Sequence, residues 1–191
     1  MLGTLFTDTP RTRIGLAAFV VFLALIPLAN WMIHNVGTVC VPNGPCLVPV
    51  APGWNGPLMA PSGVLTIGVA LVLRDVVQRC LGLWAGLLAI LIGSALSGFI
   101  APGSLVIASC LAFLLSELAD CAVYTPLQRR RLVLAVVASS VVGLVVDSVV
   151  FLWLAFGSLA YLPGQVVGKL WAVMLAVPLV RLLRRAVPTP V

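Results

Sequence analysis

The chain has 191 residues, of which 62% are hydrophobic and 8% charged. Soluble domains carry about 25% charged residues, so this chain cannot clothe a water-facing surface and reads as one integral membrane domain, residues 1–191. Lys and Arg outnumber Asp and Glu by 11 to 5; in a membrane protein topology explains such an excess without nucleic acid.

A polar start with Asp8, Arg11 and Arg13 precedes an apolar run over about 14–33. It is too long for a signal-peptide core and no convincing cleavage site follows, so it is predicted as a retained helix. Pro27 should kink it, and Asn30 and Trp31 sit near its far end. Residues 35–60 read as a loop rich in Pro, Gly and Asn, either a lid or an inert excursion. Cys40 and Cys46 in that loop are six apart, close enough for a disulfide outside the cytoplasm.

The second span is predicted over 61–81, with Pro61 starting the helix, Arg74 and Asp75 interrupting it, and Gln78 and Arg79 ending it. The third covers 83–100, where Gly86, Gly93, Ser94, Ser97 and Gly98 suit close helix contact. Ala101-Pro102-Gly103 makes a turn into the fourth, 104–124, which Thr125-Pro126 should stop. The fifth spans 132–156 and the sixth 165–183, with Lys169 inside the sixth and Pro178 as a kink. Trp31, Trp84, Trp153 and Tyr161 read as interface anchors. Trp171 lies deeper, either as packing or as a stacking surface for a planar ligand.

Arg11 and Arg13, Arg79, the Arg129–Arg131 run, and Arg181, Arg184 and Arg185 all fall on one side of this alternation. The other three loops hold no Lys or Arg. The fold class is therefore an all-α membrane protein with six transmembrane helices and both termini cytoplasmic.

Four of the five acidic residues, Asp75, Glu117, Asp120 and Asp147, lie within spans, as do Arg74 and Lys169. Charge in hydrocarbon is costly unless it faces protein, water or a partner. Glu117 and Asp120 are three apart and share a helix face that Tyr124 continues. At about 1.5 Å per residue, Asp75 and Glu117 each lie roughly 21 Å from the outer ends of their spans. Together with Arg74 and Asp120 they form an inner layer. Asp147 and Lys169 fall in the outer third, with Gln165 one turn from Lys169 and Asn30 nearby. Ion pairing between helices would explain part of this set. Four carboxylates against two cations leave about two charges to be protonated, hydrated or matched by a ligand. The eight residues Asn30, Arg74, Asp75, Glu117, Asp120, Asp147, Gln165 and Lys169 are thus expected to meet in one intramembrane substrate site. No nucleophile–base pair or metal cluster can be assembled around the only histidine, His34, so neither enzyme chemistry, a metal nor a cofactor is expected. Gly164-Gln165-Val166-Val167-Gly168-Lys169 departs from a phosphate loop in spacing and reads as helix packing with a buried Lys.

Five stretches resemble the VUT family of small six-helix membrane proteins associated with uptake of queuosine precursors. They are Leu28-Ala29-Asn30-Trp31, Leu73-Arg74-Asp75-Val76-Val77-Gln78-Arg79, the Ser116–Tyr124 segment, Gly143-Leu144-Val145-Val146-Asp147-Ser148, and Pro163-Gly164 through Lys169. The resemblance implies an importer in a bacterial inner membrane. Its substrate would be a nucleobase-like 7-deazaguanine such as 7-cyano-7-deazaguanine or its aminomethyl form. Partners would be that small molecule and lipid, with no nucleic acid, and either a homo-oligomer or an energy-coupling partner. Two other readings stay open: the substrate-binding subunit of an ATPase-driven vitamin importer, and a non-transport membrane protein that recruits partner helices.

Overall fold

The computed structural model describes residues 9–42, 44–54, 56–100 and 105–186. Asp8, the Ala101-Pro102-Gly103 turn and Ser104 lie outside these residues, as do the side chains of Arg181, Arg184 and Arg185.

Helix α1 runs Pro10–Asn35. Thr9 caps it by accepting from the Thr12 amide at 3.2 Å, and Pro10 suits the first turn, where no intrahelical donor is needed. Three short strands follow, β1 Val39–Cys40, β2 Cys46–Ala51 and β3 Leu58–Pro61, antiparallel in the order β1-β2-β3. Cys40 and Cys46 are joined by a disulfide across the first pair. The stretch expected to be a loop is therefore largely a small sheet. Pro49, which cannot donate to a ladder, sits at its register shift. Pro61 pairs with Leu47 as the last residue of β3, so it ends a strand instead of starting a helix.

Helix α2, Val64–Leu81, begins three residues later. Gly82 at φ 96° turns the chain into α3, Leu83–Ile100. Helix α4 covers Val106–Leu127 and passes through Pro126 rather than stopping before it. Thr125 Oγ1 donates to Cys121 O at 2.7 Å and the Gln128 amide to Tyr124 O at 2.9 Å, so carbonyls around the proline keep partners. Helix α5 is Leu132–Phe156, closed by Gly157 at φ 61°, and α6 is Leu162–Ala186.

Among the described residues, four helices, α1, α3, α4 and α5, are long and apolar enough to cross a membrane. In α6 the described apolar stretch is Leu162–Pro178. Helix α2 carries Arg74, Asp75 and Arg79, which lower its overall hydropathy. All three are buried, and the only exposed positions on α2 are Leu65 and Val69. It is the central helix, packed on α1, α3, α4, α5 and α6. The outer surface is apolar, with Val20, Leu91, Ile107 and Leu175 more than half exposed. That is the pattern of a chain solvated by lipid. Trp31, Trp84 and Trp153 are also exposed.

Arg11 ties the far end of α2 to the start of α1, donating to the carbonyls of Cys80 at 3.0 Å and Arg79 at 2.8 Å. At the opposite end, α6 lies on the sheet. A Cβ built on Gly164 would sit 2.0 Å from Met59 O. Gly164→Ala is therefore expected to push α6 off β3 and cost about 1–3 kcal/mol, read as a lowered unfolding temperature in detergent.

Candidate functional site

The inward-facing charges form two groups at different depths. The deeper one is centred on Arg74 of α2. Its Nε donates to Glu117 Oε2 at 3.0 Å, its Nη1 to Gln78 Oε1 at 3.0 Å, and its Nη2 to Asp120 Oδ1. Asp75 Oδ1 lies 2.9 Å from Nη1 as an ion pair. The guanidinium stands 5.7 Å from the Tyr124 ring centroid, within cation–π range. Helix α5 adds Ser139, whose Oγ donates to Asp75 Oδ2 at 3.2 Å. Gln78 extends the network by donating to Thr125 Oγ1 at 3.0 Å. The three-residue spacing of Glu117 and Asp120 puts both carboxylates on the α4 face that meets α2. The Arg74, Asp75, Glu117 and Asp120 side chains are each at most 1% exposed.

The second group is centred on Lys169 of α6. Its Nζ donates to Asp147 Oδ2, to Ser148 Oγ at 2.9 Å and to Gln165 Oε1 at 2.6 Å. Those three bonds use all three protons of the ammonium. They leave Asp147 Oδ1 as an acceptor and Gln165 Nε2 as a donor. Asn30 Nδ2 donates to Ile26 O at 3.0 Å, which leaves its Oδ1 as a further acceptor.

A pocket with an empty volume of about 470 Å³, including its open mouth, borders this second group. All six helices line it near the sheet: Asn30 on α1, Ile67 on α2, Ser97 on α3, Ser109 and Phe113 on α4, Asp147 and Phe151 on α5, and Gln165 and Lys169 on α6. Pro61 and Gly63 also line it. Seven residues separate Ile67 from Arg74 on α2 and Phe113 from Asp120 on α4. The Arg74 cluster therefore lies about 10 Å farther along the helices than the pocket.

Of the eight residues expected to share one site, Asn30, Asp147, Gln165 and Lys169 line this pocket. Arg74, Asp75, Glu117 and Asp120 do not line it and form the deeper, closed cluster. Trp171 is 54% exposed and faces outward, so it offers no stacking surface inside. It is two residues from Lys169, roughly 200° around the helix. The aromatic rings lining the pocket are Phe113 and Phe151. Sequence reasoning passed over these two, along with Ser109, Ser148, Gln78 and Ser139. A signal existed on α4, where Ser109, Phe113, Glu117, Asp120 and Tyr124 recur at three- and four-residue spacing. Among the described residues, no group of three or more His, Cys, Asp and Glu is arranged to hold a metal ion.

Removing the guanidinium would strand three carboxylates in the interior. Arg74→Met is expected to cost about 3–5 kcal/mol, seen as loss of monodisperse protein on gel filtration in detergent, with Arg74→Lys between that variant and the parent.

Residues 99–191 match the family model described as "Putative vitamin uptake transporter". No curated protein and no solved structure matches the chain. The matched stretch carries Glu117, Asp120, Asp147, Gln165 and Lys169, members of both buried groups. On that match, the C-terminal part of the chain resembles the vitamin uptake transporter family.

Proposed function

We propose that the chain crosses a bacterial inner membrane six times with both termini cytoplasmic. We further propose that it imports a guanine-like base, a 7-deazaguanine precursor of queuosine, bound in the pocket at the sheet end of the bundle. The observation that carries this reading is the set of unused polar atoms converging on that pocket. Asp147 Oδ1 accepts from the adjacent N–H donors of a guanine-like edge. Gln165 Nε2 donates to the ring carbonyl. Lys169 holds both side chains in place through its own hydrogen bonds. Phe113 and Phe151 give the planar ring apolar surface. The pocket lies at the end of the bundle whose loops carry no Lys or Arg, which is the outer side by the charge rule.

Two measurements test the two halves of this proposal. In calorimetry on purified protein, 7-cyano-7-deazaguanine should bind, and Asp147→Asn or Gln165→Ala should each weaken binding, Asp147→Asn by roughly ten- to hundred-fold. Glu117→Gln, away from the pocket, should leave affinity within a few-fold of the parent. Equal affinity in the parent and both pocket variants would sink the site. For topology, a cysteine introduced at Ser158 should react with a membrane-impermeant maleimide in intact cells, and one at Arg130 only after permeabilisation. The reverse pattern would invert the orientation.

A further inference from the structure

The Arg74 cluster has more carboxylates than cations. Asp75, Glu117 and Asp120 surround Arg74, and the nearest further cation on α2 is the buried Arg79, within electrostatic reach of the Tyr124 hydroxyl along with Arg74, Asp75 and Asp120. Among the described side chains, no element packed around the cluster closes the gap. Helix α3 has no titratable side chain, and those of α1 lie at its ends. Asp147, the titratable residue of α5, adds negative charge within electrostatic reach of Glu117. On α4 the remaining titratable neighbour is the Cys121 thiol. Lys169 on α6 is engaged with Asp147. Among the described side chains, three carboxylates thus surround Arg74, and even with Arg79 counted beside Tyr124 the set is one positive charge short. Leaving a buried charge uncompensated is among the costliest things a protein can do.

The hydrogen bonds locate the deficit. Asp75 Oδ1, although ion-paired to Arg74 Nη1, and Asp120 Oδ2 are buried acceptors without a hydrogen bond, and the Tyr124 hydroxyl and Ser140 Oγ are buried without hydrogen-bond partners. Asp75 and Asp120 nevertheless lie close together, both paired with the same Arg74 guanidinium and within electrostatic reach of each other. Two ionised carboxylates in contact repel, and neither can donate. A carboxyl and a carboxylate in contact share a hydrogen bond. A single proton therefore supplies the missing charge and a donor where the cluster lacks one.

We infer that the Arg74 cluster is a proton-binding site, with the proton shared by Asp75 and Asp120, and that this proton is the coupling ion for uptake. The coupling half rests on the importer reading above. The proton enters from the outer side with the base and is released from the Asp75–Asp120 pair to cytoplasmic water as the base leaves. Deprotonation returns the pair to two carboxylates and changes what Arg74 must hold. Contact between the two levels runs through α4 and α5. Glu117 lies one turn from Phe113 of the pocket, and Gly143, one turn from Asp147, packs on Asp120, where a Cβ would lie 3.1 Å from the Asp120 Cβ.

The proton itself is tested by infrared spectroscopy of the purified protein at neutral pH. A protonated-carboxyl C=O band should be present and should vanish in both Asp75→Asn and Asp120→Asn. Both variants mimic the protonated form and should stay folded. Absence of that band from the folded parent overturns the site. Coupling is tested in proteoliposomes containing a pH dye. Adding 7-cyano-7-deazaguanine outside should acidify the lumen, and an inward gradient of one pH unit should sustain roughly ten-fold accumulation at one proton per base. Each Asn variant should bind the base within a few-fold of the parent and lose the accumulation. Accumulation that survives a protonophore, or that follows a sodium gradient instead, overturns the coupling. If the base does not bind the parent at all, the importer reading fails alone, and the infrared band still decides the proton site.

Discussion

The arrangement of the bundle depends on one guanidinium held in the interior. Taking an ion of this size from water into a low-dielectric medium carries an idealised penalty of order 20 kcal/mol. Arg74 is fully buried. Its N–H donors must therefore be met by the protein, and three of the five hydrogen bond to Gln78 on α2 itself and to Glu117 and Asp120 on α4. Fork-like pairing is directional, so it sets the rotation of α4 about its axis and its height against α2. An apolar seam tolerates sliding far better. Ser139 then brings α5 into the same network through Asp75. Packing of Leu71, Val72, Tyr124, Leu144 and Val173 closes around it.

This constraint accounts for what the sequence reveals and what it hides. Runs of about 20 apolar residues are long-range signals and survive any tertiary context, so the six helices were readable. A charge inside such a run cannot face lipid, so the inward residues were readable too, and the rise per residue sorted them by depth. What one chain of residues does not encode is the neighbour across the gap. Depth put Arg74, Asp75, Glu117 and Asp120 in one layer, but only packing decides that they close on one another and that the open space belongs to Asn30, Asp147, Gln165 and Lys169. The small sheet was hidden for a different reason. Its strands are two to six residues long and contain Pro49 and Pro61, which argue against strands on local grounds. Pairing and the Cys40–Cys46 link override that preference. At Pro126 the backbone likewise finds partners that a local rule does not count.

The two polar groups differ in the room around them, and on the proposed reading that difference divides their work. The Lys169 group borders open volume and keeps an acceptor and a donor unused, so it can exchange its partners for those of a ligand. The Arg74 group has no such space, and its side chains are at most 1% exposed. A base of several rings could enter it only by dismantling the ion pairs that order three helices. A proton needs no volume. The same closure that excludes a base suits the smallest cation, because a dry site makes the difference between the two charge states energetically large.

The charge count also fixes the electrical character of transport on this reading. A 7-cyano-7-deazaguanine base enters as a neutral molecule, and one proton carried with it moves one positive charge inward per cycle. The membrane potential of a living cell, negative inside, then assists uptake along with the pH difference, at about 2.3 kcal/mol per charge per 100 mV. An aminomethyl base would carry its own cation. If its ammonium met Asp147 at the outer level, the proton below would still be needed, because the deficit lies among Asp75, Glu117 and Asp120 and not at the pocket. The two levels therefore make separable contributions. On the proposed reading, the upper one determines which base is accepted, and the lower one supplies the driving force, whichever base sits above it.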